Sequence, residues 1–157
     1  MGAFLLAWQE GPLGLAMRTS PLAYPVAETL HIVGFTLLIG SIVALDLRLL
    51  GYGRALAVAA LARLVLPVAI GGFALAVCMG LLLFSADATH VAVNPSFRIK
   101  LALIGLALLN ILLLHRGVWR EVGSWQSAVP PRAQVAALLS IVFWLGALTA
   151  GRLIAYF

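Results

Sequence analysis

Four apolar stretches, each long enough to cross the roughly 30 Å hydrocarbon core of a bilayer as a helix, occupy most of this sequence. They run over 24–50, 62–86, 96–115 and 132–157. A helix needs about 20 mostly apolar residues for that crossing. Inside lipid every backbone polar group must be satisfied within the segment, so each stretch reads as an α-helix. The connections are short, which makes consecutive helices antiparallel neighbours. The expected fold is an all-α integral membrane protein: a single transmembrane domain over 1–157, built as an antiparallel four-helix bundle.

Composition excludes the soluble alternatives. Hydrophobic residues make up 64% and charged residues 10% of the chain, against about 45–50% and about 25% in soluble domains. The net charge of +5 is no nucleic-acid signature, because the basic residues sit beside apolar segments, where they set membrane orientation. The only cysteine, Cys78, lies inside an apolar stretch, which excludes an internal disulfide and a thiolate metal site. There is no nucleophile elbow, P-loop, HExxH or paired-cysteine motif.

The first twenty residues do not read as a secretory signal. No Lys or Arg precedes Trp8, and Glu10, Gly11 and Pro12 interrupt the apolar run. Phe4, Leu5, Trp8, Leu13, Leu15 and Met17 predict instead a helical segment over 3–19 lying in the interface, with Trp8 at headgroup level. Of the ten Lys and Arg, six (Arg48, Arg54, Arg63, Arg116, Arg120, Arg132) fall on the side of the first and third loops. Arg18, Arg98, Lys100 and Arg152 fall on the other. That bias puts both termini outside, periplasmic for a multi-pass protein of a bacterial inner membrane.

Ionisable residues inside spans are costly and normally face the bundle interior. Glu28 and His31 are three residues apart, and Asp46 follows Glu28 by 18 residues, five full turns at about 3.6 residues each. The three are expected to form one inward stripe. At a rise of about 1.5 Å per residue, Glu28, His31, Lys100 and Arg152 fall in one layer in the outer half of the bundle, with Arg98 just above. His115 lies about 17 Å deeper, near Asp46 and Arg48, with Asn110 between. Two histidines so far apart do not ligate one haem, and His90 sits in the outer loop. A single haem b would take His31 as its one histidine ligand, with Arg98, Lys100 and Arg152 suited to the propionates. The competing reading of His31 is a hydrogen bond across the bundle, with Glu28 as partner. For His115 it is a helix-end imidazole, and for Arg98 and Arg152 it is snorkelling. Gly71, Gly72 and Gly80 suggest close helix packing, within the bundle or between protomers.

The segments ETLHIVGFTLLIGSIVALDLRLLG, from Glu28 to Gly51, and NPSFRIKLALIGLALLNILLLH, from Asn94 to His115, carry a resemblance. The chain resembles an uncharacterised bacterial family of small four-helix membrane proteins, from its interfacial start to its GRLIAYF end. More distantly it is similar to the HemJ type of protoporphyrinogen oxidase and to the membrane domain of copper-resistance D proteins. Leu30-His31 and Phe97-Arg98-Ile99-Lys100-Leu101 match two motifs of the HemJ type, as do Gly40 and Leu47-Arg48-Leu49. Asp46 departs from that pattern, which has a proline there, and His115 falls about one turn later than the pattern's second histidine. The resemblance implies haem b on His31 and a functional Lys100. Oxidase activity does not carry over with it.

Three functions are then expected to compete. One is a haem b redox or electron-transfer protein. In it His31 binds the haem iron, Lys100 acts as second ligand or propionate partner, and Glu28 orients the imidazole. Its electrons would come from a quinone or porphyrin in the bilayer. Another is a small transporter or metal-handling protein with Glu28, His31, Lys100 and Asp46 along a polar path. The last is an accessory subunit docked on a larger membrane complex, or a homo-oligomer, through its glycine-lined second helix.

Overall fold

The computed structural model describes residues 2–125 and 129–156; Met1 and Phe157, which end the expected domain and the fourth expected span, lie outside them. Every regular element is helical. Two short helices come first, α1 (Gly2–Glu10) and α2 (Pro12–Thr19), broken at the extended Gly11 with Pro12 opening the second. Proline suits that position, where its missing N–H has no partner to lose. The four long helices are α3 (Ala23–Leu49), α4 (Val58–Ala86), α6 (Pro95–Arg116) and α7 (Pro131–Leu153), each apolar enough to span a membrane. A short α5 (Ala88–Val93) bridges α4 and α6, and 3₁₀ turns follow α6 and α7. Asn94 starts α6: its side chain accepts from the Ser96 and Phe97 amides while Pro95 takes the first helical position.

The spans occur where the sequence puts them, except that α4 begins four residues earlier, at Val58 rather than 62. The 3–19 segment is helical, as expected, and it is docked on the bundle. Arg18 donates to the Gln9 carbonyl at 2.8 Å and the Ala86 carbonyl at 3.2 Å. Gln9 Oε1 accepts from the Thr89 amide at 3.0 Å and hydroxyl at 2.9 Å.

Packing follows the small residues. α3 and α4 cross at Gly34 and Gly72: a Cβ on Gly34 would stand 2.7 Å from the Gly72 carbonyl oxygen and from the Ala76 amide nitrogen. No residue with a side chain fits there without moving backbone. α7 packs on α3 and on α6, so the helices run α4–α3–α7–α6 in space. The ring is not closed. Among the described residues α4 and α6 share no extended backbone packing, although they are successive spans. The core has three levels. Met17, Ala27 and Ala86 form the one at the end that carries α2, Leu38, Ile42, Ala69, Ala107 and Trp144 the middle. Leu45, Leu49, Val58, Ala62, Ala133 and Ala137 form the level at the loop end that carries six of the basic residues.

The expected inward stripe on α3 is corrected by this arrangement. Asp46 is buried at 5% exposure and His31 is half-buried, but Glu28 is exposed. Glu28 and Asp46 do share an azimuth, about 100° from Ala27 and Leu45 respectively. α7 covers that flank at Asp46, where the buried carboxylate lies beside Ser140. At the level of Ala27, among the described residues, the buried cluster joins α3 to α2 and α4, and Glu28 on the other flank is exposed.

Candidate functional site: a lateral cavity at His31 and Lys100

His31 projects from α3 towards α4, and its Nδ1 lies 2.7 Å from the Ala76 carbonyl oxygen. A carbonyl only accepts, so Nδ1 carries the hydrogen and, in the neutral ring, Nε2 keeps its lone pair. Gly80, one turn further along α4, leaves the space the ring occupies: a Cβ there would stand 3.1 Å from His31 Cε1. Phe35 stacks on the other side, with centroids 6.3 Å apart and planes 12° from parallel. The imidazole is thus fixed in position and orientation by a backbone carbonyl, a glycine and an aromatic ring.

Beside it is a cavity of about 350 Å³ in the seam between α4 and α6, at the small end of the roughly 300–1,000 Å³ range of small-molecule sites. His31 and Phe35 of α3, Phe73 of α4 and Trp144 of α7 line it, with Lys100 of α6. The stem of Lys100 lies along Gly151 of α7, where a Cβ would be 3.4 Å from Nζ. Among the described residues Nζ has no hydrogen bond or ion pair. Trp144 is 1% exposed, and its indole Nε1 is buried with no hydrogen-bond partner among the described residues. An apolar chamber therefore contains an oriented imidazole, an unpaired ammonium and, in its wall, an unpaired indole donor.

Its two ends differ. Phe84 and Phe97 stack across the seam at 5.4 Å, and Trp8 of α1 meets Phe84 edge-on at 6.0 Å, closing the end beside α1. Between these rings and Ile104 the rim is formed by Val77, Leu81 and Leu101, all exposed on the flank of the bundle. Exposed apolar side chains on a spanning helix face lipid, so the cavity opens sideways into the bilayer.

Of the residues singled out in the sequence, the structure brings His31 and Lys100 together and leaves three outside. Glu28 is exposed and does not orient the imidazole; Ala76 holds that position. Arg98 is exposed and donates to the Ala92 carbonyl at 3.1 Å. Arg152 is exposed, 3.4 Å from the Tyr156 hydroxyl and 5.5 Å over its ring. Neither arginine lines the cavity. His115 bonds the Ile111 carbonyl at 2.9 Å and packs on Trp119 at the opposite end of α6. Trp8, Trp144, Phe35, Phe73 and the Ala76 carbonyl are contributors that sequence reasoning missed. Trp144 reads as core or lipid contact in the sequence, and Trp8 as an interfacial anchor.

Among the described residues no group of three or more His, Cys, Asp and Glu could hold a bare metal ion. A haem would place a smaller demand, since the macrocycle itself would hold the iron and the protein need add one imidazole. Nε2 of His31, oriented through Nδ1 as metal-ligating imidazoles are, fits that demand, while a haem, larger than the cavity of about 350 Å³, would have to extend through its opening between Val77, Leu81 and Leu101. Fold and site define a bundle of four helices apolar enough to span a membrane, with a cavity on its flank. Comparison with family models, curated proteins and solved structures finds no match to this chain.

Proposed function

We propose that this protein is a haem b-binding redox protein of the membrane, with His31 as its one histidine ligand. The observation that carries the reading is the Nδ1-to-Ala76 hydrogen bond, which leaves the lone pair of Nε2 beside an apolar cavity. When bound, the haem supplies one-electron chemistry at potentials set by its ligand and surroundings. The chain's own part is to hold the imidazole in one tautomer, to exclude water with Phe35, Phe73 and Trp144, and to offer one cation, Lys100, to a carboxylate. The opening between Val77, Leu81 and Leu101 suits an electron partner dissolved in the bilayer, such as a quinone. We further infer, from the six-to-four distribution of Arg and Lys, that both termini face the periplasm of a bacterial inner membrane.

The absorption spectrum of the detergent-purified protein tests this. A Soret band with reduced α and β bands is expected from haem-replete cells. His31→Ala abolishes it while the protein still inserts, because the span loses a polar group and not an apolar one. His115→Ala keeps it. Lys100→Ala shifts the spectrum or the potential if Lys100 meets the propionates, and removes the pigment if it is the second ligand. Colourless wild-type protein sinks the reading.

One observation favours a second reading in which a quinone itself occupies the cavity. Lys100 Nζ and Trp144 Nε1 are donors without partners, and His31 Nε2 is an acceptor, which together match the carbonyl and hydroxyl oxygens of a quinone–quinol pair. Colourless protein that yields an organic-extractable quinone, lost in His31→Ala, separates this reading from the first. A continuous polar path through the bundle has less to support it, since Leu38, Ile42, Ala107 and Trp144 fill the level between His31 and Asp46.

A further inference from the structure

A second cavity, of about 260 Å³, lies at the opposite end of the molecule, between α6 and the start of α7. Its apolar wall is made by Leu113, Val135 and Leu139, which are 62%, 58% and 41% exposed. Asn110 lies at its base and is engaged, donating to the Ala136 carbonyl at 2.8 Å. Arg132 stands at the mouth, one residue into α7. Its guanidinium has no hydrogen bond or ion pair among the described residues.

The surrounding charge is one-sided. This end of the bundle carries Arg48, Arg54, Arg63, Arg116, Arg120 and Arg132 against Asp46 and Glu121, a balance of 6 − 2 = +4 out of the chain's +5. Asp46 is buried between α3 and α7, away from the groove. Arg132 and Leu139 are seven residues apart, about 10 Å along the helix axis. The groove thus presents a cation at the depth of the lipid headgroups and an apolar channel running from it into the hydrocarbon.

We propose that this groove holds an anionic phospholipid, its phosphate on the Arg132 guanidinium and one acyl chain along Leu113, Val135 and Leu139. The guanidinium fork matches two phosphate oxygens, a geometry and charge that a lysine or a neutral donor does not supply. The class of headgroup follows from the neighbours. A zwitterionic lipid would bring its ammonium towards Arg116 and Arg120, whereas an anionic headgroup adds no positive charge and is drawn to a basic pocket between spans. Nothing in this site depends on what fills the cavity at His31.

Native mass spectrometry of the full-length protein, released from micelles containing equal phosphatidylglycerol and phosphatidylcholine, tests the proposal. Wild type is expected to retain phosphatidylglycerol under conditions that strip phosphatidylcholine. Arg132→Gln should lower that retention about tenfold, on the order of one charge-assisted hydrogen bond. Arg152→Gln, at the other end, should leave it unchanged. Leu139→Trp, which fills the groove and keeps the charge, should also lower retention, and serves if Arg132→Gln does not fold. Equal retention of the two lipids by wild type overturns the proposal. So does unchanged phosphatidylglycerol retention in folded Arg132→Gln or in Leu139→Trp.

Discussion

Gly80 and His31 are separated by less than the room a methyl group needs, and this sets how the imidazole can move. A Cβ at position 80 would stand 3.1 Å from Cε1 and 3.3 Å from Nδ1, so the ring must shift by a few tenths of an ångström to admit it, which disturbs its bond to the Ala76 carbonyl. Gly80→Ala should leave the helix at least as stable, since alanine is favoured over glycine in a helix interior by about 1 kcal/mol. Ligand affinity at His31 should fall by up to about tenfold, the weight of one neutral hydrogen bond. Titration of the purified variant with its circular dichroism unchanged checks this; unaltered affinity would mean that the Ala76 bond does not position the ring. Residue spacing made His31 and Lys100 legible as one layer, because depth along a helix is read directly from the rise per residue. It misassigned Glu28 for an equally physical reason. Spacing fixes the azimuth of a residue but not the level at which a neighbouring helix covers that azimuth, and α7 covers Asp46 and not Glu28.

Long elements announce themselves by length and apolarity, and short ones only by their punctuation. The four spans, the Gly11-Pro12 break and the Asn94-Pro95 start of α6 are all visible in the sequence. The six residues of α5 and the 3₁₀ turn at Val118–Ser124 are too short to show a period. The way α1 and α2 dock is also hidden, because it depends on single long-range contacts. Arg18 joins Gln9 to Ala86, and Gln9 in turn holds Thr89. Arg18→Ala removes a charged donor from two carbonyls, and hydrogen bonds to charged groups contribute about 1.5–3 kcal/mol each. Amide exchange in α1 and α2 should therefore accelerate by one to two orders of magnitude, while α3, α4 and α7 keep their protection. Uniform acceleration across all helices would show that the segment is not a separate unit.

At the scale of the whole molecule, the four spans were legible and their arrangement was not. Charge counting predicts the side on which each loop lies, and the loop at Gly51–Gly53 carries that prediction. In a Cys78→Ala background, Gly53→Cys should resist an impermeant maleimide applied to intact cells and react after the membrane is opened. Labelling of intact cells would invert the orientation. The spatial order α4–α3–α7–α6 was not readable, because short connections suggest that every successive pair packs. That holds for α3 with α4 and for α6 with α7. Among the described residues it does not hold for the backbones of α4 and α6, which are joined through α5 and meet through side chains around a cavity. The incomplete ring means that the acyl chains of the bilayer form part of the wall around His31 and Lys100. A wall of fluid transmits pressure: the lateral compression that a membrane exerts at that depth, set by chain length and unsaturation, acts directly on the volume open to a ligand. The composition of the surrounding lipid is in this sense a variable of the site itself, as much as any side chain that lines it.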